Sequence, residues 1–213
     1  MNNFDLYKYI NFILNQDISG NTLSPDEYDR LLKVHSIKHY YSLLEKYEVN
    51  KLIGNRIKRF KAEDTISLTA GVGALPEDFE YVSDMTSIFD EDKTAKVDLV
   101  TDEEFAVRIA SSISMPSERH PIAKLTGEDS FLVLPDTIEE VTLYYLRTVE
   151  EPVFEYDYDA NDNLIYEDVL SNELDFEDID KLEVAYAILA DRGINVRDAN
   201  IVQYSQFIKE DKE

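Results

Sequence analysis

Residues 131–147 read FLVLPDTIEEVTLYYLR. Two apolar halves rich in β-formers flank a polar turn that carries Pro135, Asp136 and Thr137. In the second half Val141, Leu143 and Tyr145 alternate with Thr142, Tyr144 and Leu146, which gives a strand two usable faces. Such runs on either side of a Pro-Asp turn predict a pair of antiparallel strands. This sheet is the expected centre of an α+β fold, entered from N-terminal helices and followed by a hairpin and a C-terminal helix pair.

Upstream of the centre, residues 80–89, 95–100 and 122–125 read as short strands, and residues 65–69 alternate apolar with polar. Thr101-Asp102-Glu103-Glu104 opens a short helix bearing Phe105, Val107 and Ile109. Pro116 and Pro121 frame an extended polar loop. Near the N-terminus, residues 4–14 place Leu6, Tyr7, Ile10, Ile13 and Leu14 on one helical face. Ser24-Pro25-Asp26-Glu27 is a strong helix start, with a capping serine, a proline at the first helical position and a capping-box glutamate. The helix it opens is expected to run on through Leu52, Ile53, Ile57 and Phe60, kinked or ended at Gly54-Asn55. Downstream of the centre, residues 153–158 and 164–169 predict a hairpin. A helix capped by Asp175 is expected to turn Phe176, Ile179, Leu182, Tyr186 and Leu189 inward and to close at Gly193. A last helix is expected from about Arg197. Three regions follow, helical over 1–62, mainly β over 63–170 and helical over 171–213, expected to form one compact unit.

Composition limits the function classes. The 213 residues contain no cysteine, which removes disulfides, thiolate metal sites and cysteine nucleophiles. A net charge of −24 opposes non-specific binding to nucleic acid and to anionic membranes. No run reaches the length of a membrane span, and the N-terminus lacks the pattern of a signal peptide.

Motifs for chemistry are weak. His35 and His39 stand four apart on a predicted helix, but position 36 is serine rather than glutamate and no third ligand is evident. Asp157, Asp159, Asn161, Asn163 and Asp168 imitate part of a calcium loop; Asp162 sits where the sharp-turn glycine belongs, so a hairpin turn is the better reading. Gly71 and Gly73 lack the Lys-Ser/Thr of a phosphate loop. Serines 111, 112, 114 and 117 near His120 lack a nucleophile elbow. No catalytic, cofactor-binding or metal residue is assigned, no cofactor is expected, and the chain reads as a non-enzyme.

Charge distribution is more telling. Lys51, Arg56, Lys58, Arg59 and Lys61 form a basic cluster in an acidic chain, whereas residues 150–180 contain no Lys or Arg at all. Lys51, Arg56, Lys58 and Arg59, with Glu150, Glu151, Asp157 and Asp159 opposite them, are the candidate subunit or partner contacts.

Three segments carry a family resemblance: FDLYKYINFILNQDISGNTLSPDEYDRLL at the start, LPEDFEYV with PSERHPIAKLTGEDSFLVLPDTIEEVTLYYLR in the middle, and GINVRDANIVQYSQFIKE at the end. Together they resemble virion structural proteins of Bacteroidales tailed phages, including the crAss-like phages, and in particular neck components that join portal to tail. The LPEDF segment is also similar to the tubular adaptors of short-tailed phages. One departure is visible: a proline expected soon after Arg147 is delayed to Pro152. The resemblance implies a homo-oligomeric ring, a dodecamer, docked on the portal and touching other neck or tail proteins. DNA would pass nearby without specific binding, no membrane would be involved, and assembly would take place in the host bacterial cytoplasm. Other readings are a head-completion, collar or tail-hub component, a calcium-binding module, or a small hydrolase.

Overall fold

The computed structural model describes residues 1–16, 22–49, 54–89 and 93–194. The fold is α+β, with helices and both antiparallel and mixed sheets. The contacts separate two compact units, one of residues 1–59 with 149–213 and one of residues 60–148. This differs from the three consecutive regions, and the one compact unit, expected from the sequence. The segments either side of the β unit are far apart in the chain yet share a core, a long-range relation that local patterns do not encode.

In the β unit, β1 (Lys61–Ser67), β3 (Phe79–Phe89), β4 (Lys93–Lys96) and β8 (Glu140–Arg147) form a sheet in the order β1-β8-β3-β4. A second sheet has the order β2-β7-β6-β5, from β2 (Val72–Ala74), β5 (Asp98–Leu99), β6 (Ile122–Leu125) and β7 (Ser130–Leu134). Residues 131–147 therefore supply a strand to each sheet, and β7 and β8 do not pair with each other as expected. β7 pairs with β2 and β6, β8 with β1 and β3. The physical reason lies in the connection: it is longer than a two-residue hairpin turn, and its Ile138 is buried in the core. Val141, Leu143 and Tyr145 of β8 and Phe131 and Val133 of β7 meet in one cluster from opposite sheets. The alternation thus encodes stacking across a sandwich rather than pairing within a sheet.

Gly73 makes this stacking possible. It lies opposite Phe131 in the β2–β7 register, and a Cβ there would come within 2.5 Å of the Phe131 ring. The Tyr145 hydroxyl donates to an Asp78 carboxylate oxygen at 2.9 Å. Burial, together with that bond, pushes the Tyr145 phenol up to about 12. Helix α3 (Asp102–Ala110) begins at the expected box: Thr101 accepts from the Glu104 amide, and the Glu104 side chain reaches back to the Thr101 amide.

The helical unit contains α1 (Asn3–Gln16), α2 (Pro25–Val49), α4 (Asp178–Asp191) and the hairpin β9 (Tyr156–Tyr158) with β10 (Leu164–Tyr166). Leu6, Ile10 and Leu14 form the buried face of α1, at the expected spacing. The capping box at Ser24 and Glu27 is present. Beyond α2, Ile57 and Phe60 are buried in turns and a short 3-10 segment (Lys58–Phe60), not in the continued helix that was expected; Lys51, Leu52 and Ile53 lie outside the described residues. Aromatic rings organise one end of this core, where Phe154 stands edge-on to Tyr28 and stacks on Tyr166.

Helix α4 ends as expected. Gly193 has φ +81°, its amide donates to Ala190 O, and the Ile194 amide donates to Leu189 O, a Schellman closure. Of the residues expected inward, Phe176 and Leu189 are buried, Leu182 and Tyr186 are half-buried and Ile179 is exposed, while Val184, Ala185 and Ile188 complete the buried face. Glu177 takes the cap position, without a side-chain bond, in place of Asp175. The expected last helix falls outside the described residues.

Candidate functional site

The basic segment after α2 finds its acidic partners within the same chain. Arg59 Nη1 lies 3.1 Å from Asp175, and both Arg59 Nε and Lys58 Nζ reach Glu177 Oε1. Bonds from Lys58 and Arg59 hold the Glu177 carboxyl below the usual carboxylate range. Arg56 reaches deeper, to Asp180 and to Glu183 Oε1 at 3.0 Å. Its bond to Asp180 raises the guanidinium above its ordinary value.

Asp180 is the unexpected member of this group. It lies in the first turn of α4 and is fully buried. Its Oδ1 accepts from Arg56 and from His39 Nε2 at 3.0 Å, and its Oδ2 has no partner among the described residues. His39 also lies 3.8 Å from Glu183 Oε2 and stands edge-on to Phe176. His35, one turn earlier on α2, points its Nε2 to Asp191 Oδ2 at 2.8 Å instead. The histidine pair therefore does not chelate together; each ring holds a different carboxylate of α4. Nothing local in the sequence marks Asp180, since a buried acid on a helix looks like any other acid until its partners fold onto it.

The other sequence-selected residues serve elsewhere. Glu150 and Glu151 are exposed, and the Glu151 carbonyl accepts from Asn172 Nδ2. Asp157 accepts from the Tyr158 amide. Asp159 binds the Asn161 and Asn163 amides and Asn163 Nδ2, which hold its carboxyl below the usual range. Asp162 adopts φ +60°. The Asp-rich turn is therefore stabilised by its own hydrogen bonds, as an Asx-type hairpin turn. Millimolar calcium is expected to leave the thermal midpoint unchanged, and Asp162→Val to cost about 1–2 kcal/mol, because a β-branched residue is strained at positive φ. Melting curves with calcium or with chelator, on both proteins, check this. In the serine-rich loop, Ser111 Oγ accepts from the Ile113 and Ser114 amides, a local turn rather than a nucleophile's arrangement.

One surface feature has no structural task among the described residues. Helix α3 buries only Phe105, while Val107 and Ile109 point outward, and the segment that follows exposes Ile113 (97%) and Met115 (66%). A comparison with family models finds no match to this chain, and a comparison with curated proteins finds none either.

Proposed function

We propose that this protein is a structural component of a tailed-phage virion, a ring-forming neck adaptor that docks on the portal and surrounds the path of the DNA. The observation that carries the assembly reading is the outward-facing apolar run Val107, Ile109, Ile113 and Met115. Exposed apolar residues that cluster, unlike single ones, mark contact surfaces, and these lie close together in the sequence. The place in the neck rests on the sequence resemblance. The charge of −24 is compatible with it, because a like-charged wall lets DNA pass without adhering. A ring needs a heterologous contact, one surface of a copy seated on a different surface of the next.

The structure shifts the emphasis of the contact expected from charge. Arg56, Lys58 and Arg59 already pair with acids of their own chain. A salt bridge to a neighbouring copy would compete with those pairs, whereas the apolar run has no such pairing to break among the described residues.

The test is a double variant, Val107→Asp with Ile113→Asp, sedimented alone and with the portal protein of the same virion. The wild-type chain is expected to form a large species or to travel with the portal. The variant is expected to remain a monomer with an unchanged melting midpoint. Equal assembly by both proteins would overturn the assignment of this surface.

A further inference from the structure

We propose that His39, Asp180 and Glu183 bind a divalent transition-metal ion of the zinc type, at a site between α2 and α4. Asp180 and Glu183 lie three apart on α4, so both carboxylates face the same way, toward His39 of α2. One donor atom from each of the three residues lies within 4.8 Å of the other two. His39 Nε2 and Asp180 Oδ1 are 3.0 Å apart. Neighbouring donors around one ion with bonds of about 2.1 Å stand at about that separation. Glu183 is partly exposed, and its Oε2 lies 3.8 Å from Nδ1, the other ring nitrogen, so its side chain has to turn toward the Nε2 side to complete the set.

The second observation is the bare oxygen. Asp180 is fully buried, yet its Oδ2 has no hydrogen-bond partner among the described residues. A buried carboxylate oxygen without a donor is costly and calls for an explanation, an ion among them. The charge count agrees: the two carboxylates face one guanidinium, that of Arg56. Arg56 is about one-third exposed and acts as the internal cation when no metal is bound. It has to release Oδ1 as the ion enters, and Glu183 Oε1 remains its partner. One imidazole with two carboxylates suits zinc or manganese better than calcium, which takes six or more oxygens.

Cobalt chloride and zinc chloride are the probes, with visible absorption, calorimetry and thermal melting as readouts on the full chain. The wild type is expected to develop a cobalt absorption band that zinc abolishes, and to melt higher in zinc than in chelator. Glu183→Gln is expected to lose about ten-fold or more in affinity while remaining folded, and His39→Gln at least as much. Arg56→Gln removes the competing cation and is expected to bind zinc more tightly than the wild type. Absence of a band and of a zinc-dependent midpoint in the wild type would overturn the proposal, as would equal affinity in Glu183→Gln.

Discussion

Phe131→Ala is expected to lower the stability of the β unit by about 3–5 kcal/mol, the cost of deleting a large ring from a packed core. Phe131 is fully buried and sits where the two sheets meet, among Val133, Val141, Leu143 and Met85. The space it leaves cannot close easily, because the strand facing it carries no side chain at Gly73. The complementary change makes the same point from the other side. Gly73→Ala would place a Cβ 2.5 Å from Phe131 Cζ and 2.8 Å from Leu68 Cδ2, so one of these side chains has to shift. An overpacking cost of about 1–3 kcal/mol follows. Combined in one chain, the two substitutions are expected to cost less than their sum, since the smaller side chain removes the clash. Denaturant unfolding of the three variants reads both the single effects and the coupling. Additive losses would show that the glycine and the ring do not share the same space.

Asp180→Ala is the second large effect, expected at about 3 kcal/mol at neutral pH with chelator present. The substitution removes the acceptor common to Arg56 and His39 and leaves the Arg56 guanidinium with Glu183 as its partner among the described residues. Because Arg56 is about one-third exposed, it can turn partly to water, which keeps the cost at the lower end for a broken buried pair. His39 is nearly buried beside Phe176 and has less freedom to recover a partner. Glu183→Ala, by contrast, removes a half-exposed carboxylate and is expected to cost under about 1 kcal/mol. Thermal unfolding of both variants distinguishes the two roles; similar losses would mean that burial of Asp180 contributes little.

Local chemistry was legible wherever a few adjacent residues decide the outcome. The boxes at Ser24–Glu27 and Thr101–Glu104 and the Gly193 closure each depend on residues within one turn. Strand β3 was legible from its own composition. What could not be read were relations between distant segments. Alternation in residues 131–147 shows that each half has an inner and an outer face, but not which strand lies beside it, so β7 and β8 were expected to pair although they belong to different sheets. Helix α4 has apolar residues on more than one side, and its true inner face became visible only once α2 packed against it. The candidate site shows the same division. The basic cluster was visible as a composition anomaly, but its partners, Asp175, Glu177, Asp180 and Glu183, lie more than a hundred residues away. A buried carboxylate carries no mark in a hydropathy pattern.

The central claim is assembly on a portal, and electron microscopy tests it most directly: images of the purified chain alone and mixed with the portal protein of the same virion. Closed rings are expected, or an added ring of density on the portal whose copies can be counted. Small separate particles in both samples, with the portal unchanged, would contradict it.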